Sequence, residues 1–298
     1  MLINKIGEFG LIDRIRKSIK TDASVIVGSG DDCAVLKYDK DHYQLFTCDM
    51  LVEGIDFNRD SDLFLVGRKA IAVSISDIAA CGGIPRYCVV SLGLKAETTL
   101  KDADKITKGL SETARLYSLN LVGGDISRSP QLVIDVSMLG IVKKRHLTLR
   151  KGAREGDIIC VSGALGGTIK GKHLTFIPRL KESCFLVENF KINSMIDISD
   201  GLMQDLGHIL KASGKGAVIY EPVIPLNKEA NGINDALFSG EDFELLFTLA
   251  PGEAKRLLGS RRAAFKPIGE ILNKRYGLRL IKKNGKELRL KPKGYRHF

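Results

Sequence analysis

The chain has 298 residues, 44% hydrophobic and 27% charged, with a net charge of +11. That is enough sequence for two domains, each with its own core, and too hydrophobic a composition for a disordered protein. No apolar run approaches the ~18–20 residues that span a bilayer, and the opening segment alternates apolar and charged residues unlike a secretory leader, so a cytoplasmic protein is expected.

The charge is unevenly placed. From Pro251 to Phe298 there are 15 Lys and Arg against 3 Glu, a local balance of +12, which leaves −1 for the other 250 residues. The few aromatics in that stretch (Phe265, Tyr276, Tyr295, Phe298) argue against base stacking and favour a solvated basic face over nucleic acid. The six cysteines (33, 48, 81, 88, 160 and 184) form no Cys-x-x-Cys pair, and the five histidines no His-Glu-x-x-His. Buried, reduced thiols and no zinc site are expected.

In chain order, residues 1–20 predict a short amphipathic helix. "YQLFTCDMLVEGIDF" reads as a strand, "GRKAIAVSISDIAACGG" as a helix closed by glycines, "RYCVVSLGL" as a strand and "LKDADKITKGLSETARLYSL" as a helix. "QLVIDVSMLGIV" is a further strand. "RKGAREGDIICVSGALGG" restarts the chain with a loop, a strand and a glycine cluster, which places a domain boundary near residues 143–149. Beyond it come a helix in "SDGLMQDLGHILKASG", a strand in "DFELLFTLA" and short strands in the basic tail. Strands and helices interleave without strict βαβ regularity, so an α+β architecture of two mixed domains is expected.

Aspartates interrupt the apolar segments. Asp32 follows Asp31 in "GSGDDCAVL", Asp49 lies in "LFTCDMLV", Asp77 in "AVSISDIAA", Asp125 in "LNLVGGDIS", and Asp197 and Asp200 in "SMIDISDGLM". A lone acid in such a place is usually a helix cap or a hydrogen-bond acceptor, and Asp200 and Asp77 could serve so. Burying an unpaired carboxylate costs several kcal/mol. Convergence on bound cations covers all six with one cause. Without clustered Cys and His, hard oxygen-ligated magnesium is favoured over zinc, and the lack of an EF-hand pattern disfavours calcium. Such magnesium usually serves phosphates. Neither standard phosphate loop is complete: "GSGDDC" ends in Cys33 where the dinucleotide fingerprint needs glycine, and "GGTIKGKH" ends in His173 where a P-loop needs a hydroxyl.

"GSGDDCAVL", "TCDMLVEGIDF", "KAIAVSISDIAACGGIPR", "LVGGDISR", "RKGAREGDIICVSGALGG", "IDISDGLMQDLGHILKASGKGA", "SGEDFELLFT" and the terminal "KGYRHF" occur in that order. Together they resemble the thiamine-monophosphate kinase family, within the ATP-binding superfamily of aminoimidazole ribonucleotide synthetase, selenophosphate synthetase and a hydrogenase maturation factor. The resemblance implies an N-terminal ATP- and magnesium-binding domain over 1–146 and a C-terminal domain over 147–298. It implies a homodimer pairing the sheets of its N-terminal domains, and direct phosphoryl transfer from ATP to thiamine monophosphate with several Mg²⁺ ions. By position, Asp32, Thr47, Cys48 (through its backbone only), Asp49, Asp77, Asp125, Asp197 and Asp200 would hold metal, with Asp32, Asp49 and Asp125 at the catalytic centre. Gly124, Asp125, Arg150 and Ser199 match nucleotide contacts, and Glu241 a substrate contact.

This chemistry suits the residues. Phosphoryl transfer asks the protein to position reactants and neutralise charge. A phosphate acceptor needs no general base, in keeping with the absence of histidine near the acidic motifs except His208. Arg150 can grip phosphate as a fixed fork. The departures concern the acceptor: Asp56 in "VEGIDF" replaces a histidine, Pro292 replaces an aromatic residue, and the segment between Thr168 and Ser194 is short and reads as lacking helices. Loss of an aromatic platform would weaken stacking on a thiamine ring by about 1 kcal/mol, and Asp56 could instead face the cationic thiazolium. The alternatives are a paralogous ATP-dependent kinase or synthetase with another acceptor, and a non-catalytic nucleotide- or nucleic-acid-binding protein.

Overall fold

The computed structural model describes residues 2–260 and 265–297, so Phe298 of the terminal motif and Arg261 and Arg262 of the basic region lie outside the described residues. Six strands form the first sheet: β1 (Val25–Val27), β2 (Ala34–Lys37), β3 (His42–Val52), β4 (Ile84–Leu94), β5 (Asn120–Arg128) and β6 (Val133–Lys143). Their order is β1-β2-β3-β6-β4-β5, antiparallel except for the β4–β5 pair. Side chains alternate between the faces of a strand, and β3 shows the consequence. Leu45, Thr47 and Leu51 are buried while Phe46, Cys48 and Met50 are exposed. One face of this sheet is therefore covered and the other open.

Of the helices α1 (Gly7–Ser18), α2 (Leu63–Ala80) and α3 (Leu100–Leu116), the second and third cover that face. Asp62 caps α2 by accepting the Phe64 amide at 2.8 Å. The helix is apolar nearly all round, as a helix buried on every side must be. Helices α2 and α3 approach so closely that a Cβ at Gly109 would lie 2.0 Å from the Phe64 carbonyl oxygen, and one at Gly67 2.3 Å from that of Ile106.

The second sheet begins at β7 (Ile158–Val161) and adds β8 (Ile192–Asp197), β9 (Lys215–Tyr220), β10 (Leu245–Leu249), β11 (Lys266–Asn273), β12 (Leu278–Ile281) and β13 (Glu287–Leu290). Its order is β13-β12-β9-β11-β7-β10-β8, antiparallel except for the β12–β9 pair. Around it lie α4 (Lys172–Thr175), α5 (Leu180–Asn189), α6 (Leu202–Ser213), α7 (Ile233–Phe238) and α8 (Pro251–Gly259). Each sheet has its own apolar core, so the chain has the α+β architecture of two mixed domains. The far side of α2 packs on α4, α5 and β8, which makes this helix the element shared by both halves.

Three expectations are corrected. The segment between Thr168 and Ser194 contains α4 and α5, where helices were thought missing. Cys48 is exposed rather than buried, because it sits on the open-face register of β3. Asp200 does not cap α6; the cap position is Gly201, and Asp205 reaches back to accept the amides of Asp200 and Gly201 at 3.1 and 3.0 Å.

Candidate active site

The covered face of β3 aims Thr47 and Asp49 at α2, which answers with hydroxyls and acid. The Thr47 hydroxyl donates to Asp77, and Ser74 donates to Asp49 at 2.8 Å. Ser76, on the other side of α2, donates to Asp197 at the end of β8 at 2.6 Å. The loop before β2 adds Asp32, so that single carboxylate oxygens of Asp32, Asp77 and Asp197 lie within 4.8 Å of one another. Asp32 and Asp77 come from the first domain and Asp197, 120 residues beyond Asp77, from the second, and they meet at the seam between the two domains.

Among the described residues, one cation faces the group. Arg150 donates through Nε at 3.2 Å and Nη2 at 2.7 Å to a single oxygen, Oδ1 of Asp32. Asp31 accepts the Arg150 backbone amide at 3.1 Å, which answers why two acids stand together: Asp31 orients the loop and Asp32 enters the cluster. The second oxygen of Asp32 is buried with no hydrogen-bond partner among the described residues.

The electrostatic cost is plain. Burial, reinforced by neighbouring carboxylates, pushes Asp49 up to about 6 and Asp197 to about 7, and raises Asp77 well above the ordinary range. Burial likewise raises Asp32 despite Arg150. Desolvation disfavours the charged form of Arg150, and the Asp32 carboxylate outweighs it, so the guanidinium stays protonated. An orphaned buried oxygen among hard carboxylate donors fits Mg²⁺, which takes oxygen ligands. Asp32, Asp49, Asp77 and Asp197 are the residues that would hold it.

Asp125 is not with them. Asp49, Val136, Val90 and Gly124 form one row across β3, β6, β4 and β5; Met50, Asp135, Ser91 and Asp125 form the next. Val136 and Val90 are buried on the covered side, so Asp125 belongs to the open face, three strand spacings from Met50, about 14 Å. Cys48 shares that open face, where its thiol donates to Asp135 at 3.2 Å. Gly124 packs so tightly that a Cβ would lie 1.8 Å from the Val90 carbonyl oxygen. Beside it a cavity of about 650 Å³ is lined by Thr107, Lys108 and Ser111 of α3 and by Gly123, Gly124 and Asp125.

A separate cavity of about 360 Å³ opens on Asp49 and Asp200, with Asp56, Ser199, Glu241, His173, Tyr295 and His297 in its walls. Asp56 lines it, yet one of its carboxylate oxygens accepts the Val52 amide at 2.8 Å and closes the turn after β3. Pro292 does not line it; its ring packs on α6 at Gly207. The aromatic wall comes instead from Tyr295 and His297, whose rings meet edge to face at 5.0 Å. The Tyr295 amide is tied to the Asp200 carbonyl at 2.9 Å.

Sequence reading missed Lys69, His173 and His297. Lys69 lies in a segment read as plain helix, and its signal was a cation at the head of the apolar run 70–73. His173 was discounted with the incomplete P-loop. In fact Gly166 and Gly167, with φ of +84° and +71°, start a turn that delivers His173 to the cavity.

Residues 30–142 match the AIR synthase related protein, N-terminal domain, and residues 137–281 the AIR synthase related protein, C-terminal domain. The chain is 33% identical to thiamine-monophosphate kinase of Bacillus subtilis, covering 98% of this chain and 100% of that one. It is 36% identical to the Rhodopirellula baltica enzyme of the same name over 77% of this chain and 78% of the relative. The chain belongs to the thiamine-monophosphate kinase family. A solved structure described as AaThiL complexed with AMPPCP and TMP aligns with a TM-score of 0.88 and 31% identity, covering 100% of this chain and 99% of that one. HypE in complex with ATP, 18% identical with a TM-score of 0.72 over 97% of this chain and 96% of that one, shares the fold.

Proposed function

We infer that this protein is an ATP-dependent kinase that converts thiamine monophosphate to thiamine diphosphate. An oxygen of the acceptor phosphate attacks the γ-phosphorus of ATP, the bond to the β,γ-bridging oxygen breaks, and ADP leaves. The observation that carries this reading is the meeting of Asp32, Asp77 and Asp197 around an unpartnered buried oxygen, with Asp49 joining that group to the wall of a second cavity. When bound, Mg²⁺ neutralises charge on the transferring phosphate oxygens. Ser74, Ser76 and Thr47 orient the carboxylates that would hold it. Arg150 keeps Nη1 free of protein acceptors among the described residues, available to a phosphate oxygen. The acceptor cavity lies on the Asp49 and Asp200 side, and Tyr295 and His297 give it the aromatic wall that Pro292 lacks.

We also propose that two copies pair the open faces of their first sheets. Phe46, Met50 and Tyr87 on that face are 43%, 59% and 50% exposed, more apolar surface than a solvated sheet face needs. Pairing would bring Asp125 and the cavity beside Gly124 to a subunit junction, where Asp125 could join a nucleotide site. The change of sheet between β6 and β7 supports dividing the chain at 146/147. Use of ATP suits a cytoplasmic site, and no helix among the described residues is long and apolar enough to cross a membrane.

The test is incubation of the protein with ATP, Mg²⁺ and thiamine monophosphate while following thiamine diphosphate. Product that requires all three is expected. ATP turnover without thiamine diphosphate would overturn the acceptor assignment.

A further inference from the structure

Lys69 is a fully buried cation, 0% exposed, in the middle of an apolar helix. A lysine ammonium so placed needs partners to offset its desolvation. It has two, and both belong to the walls of the acceptor cavity: it donates to Oε1 of Glu241 and, at 2.8 Å, to the carbonyl oxygen of Asp56. The Asp56 carbonyl belongs to the turn after β3, and Glu241 to the loop before β10 of the other domain. Lys69 therefore fixes two cavity walls against each other across the domain seam.

The Glu241 backbone needs such a hold. Glu241 has a φ of +65° and Phe243 a φ of +49°, left-handed conformations unusual for residues with a Cβ. Two hydrogen bonds secure the backbone, from the Glu241 amide to the Ser199 carbonyl at 2.7 Å and from the Phe243 amide to the Ile198 carbonyl at 2.8 Å. Lys69 secures the side chain. The other Glu241 oxygen, Oε2, has no protein donor among the described residues.

We propose that Lys69 is a positioning residue for the acceptor, holding Glu241 so that its free oxygen accepts a hydrogen bond from an N–H or O–H group on the ring system of the substrate. Because Lys69 already cancels the Glu241 charge, Glu241 selects a hydrogen-bond donor rather than a cation. This rests on the acceptor-cavity reading above and deepens it.

The test compares the full-length wild type with Lys69→Met, Glu241→Gln and the double variant, in steady-state kinetics with thiamine monophosphate and ATP varied in turn. Lys69→Met and Glu241→Gln should each raise KM for thiamine monophosphate about ten-fold or more while KM for ATP changes less than about two-fold. The double variant, which leaves no unpaired buried charge, should be no worse than the poorer single one. Calorimetric titration with a non-hydrolysable ATP analogue should give unchanged affinity for all four proteins. An unchanged KM for thiamine monophosphate in the folded double variant would overturn the proposal, as would equal losses for both substrates. A wild type that makes no thiamine diphosphate would instead sink the acceptor reading, and this inference with it.

Discussion

Two buried acidic groups in this molecule are built in opposite ways. Glu244, with a side chain 1% exposed, receives Arg179 through Nε at 2.7 Å and Nη2 at 2.6 Å, the Ser162 hydroxyl at 2.7 Å, and Lys172 at 3.7 Å. Its charge is answered by the protein itself. Among the described residues, Asp32, Asp77 and Asp197 have Arg150 alone, and it directs both bonds to one oxygen. Burial by itself therefore does not mark a functional acid. What marks it is burial without enough cations, a deficit that only an added positive charge can close.

The largest consequence falls on the complete group. Glu244→Gln leaves the partly buried Arg179 with Glu182 as its one remaining carboxylate partner among the described residues and should lower unfolding stability by about 2–3 kcal/mol in denaturant melts, since breaking a buried pair leaves charge incompletely compensated. In the deficient group the effects should separate. Asp32→Asn and Asp77→Asn should each lower turnover by roughly a hundred-fold or more, but only Asp77→Asn should also raise the melting temperature in chelator, because Asp32→Asn abandons Arg150. A metal-free Asp77→Asn protein that melts lower than wild type would erase the distinction between the two groups.

A smaller effect should appear with pH. The folded carboxyls of Asp49 and Asp197, at about 6 and about 7, bind protons more tightly than the unfolded chain does. Their contribution to stability is thus complete below the unfolded value near 4 and lost as pH rises through 6 to 7. In chelator the melting temperature should fall between about pH 4 and pH 7, and saturating Mg²⁺ should flatten that fall because it favours the ionised carboxylates. The smallest effect belongs to Pro292→Ala, which should change KM for thiamine monophosphate by less than about two-fold, as expected away from the cavity. A large rise would return Pro292 to the acceptor site.

Periodicity and turn chemistry made much of this legible. The strand through Asp49 and the long helix carrying Asp77 stand where alternation and apolar runs put them, whereas the strand ending at Asp197 was not read. That acids in such segments need a common partner was also readable, and Asp32, Asp77 and Asp197 do meet. Asp125 shows the limit, because apolar neighbours cannot distinguish a covered strand from an edge strand, and β5 is exposed throughout. Lys69 shows another: a lysine beside Arg68 in a helix gives no hint of a partner 172 residues away. The helix Leu180–Asn189 was hidden because the resemblance fades there, although its own sequence suits a helix.

Helix α2 serves the buried acids from one part of its surface, through Ser74 and Asp77, and the wall of the cavity at Asp56 and Glu241 from another, through Lys69. A lineage changing its acceptor could hardly begin there, since any adjustment of the rod would disturb both duties together. Room for divergence lies in the pieces that touch only one duty: the turn at Asp56, the Thr168–His173 segment and the closing strap around Tyr295. New specificities in relatives should accumulate in those three places while the rod stays still.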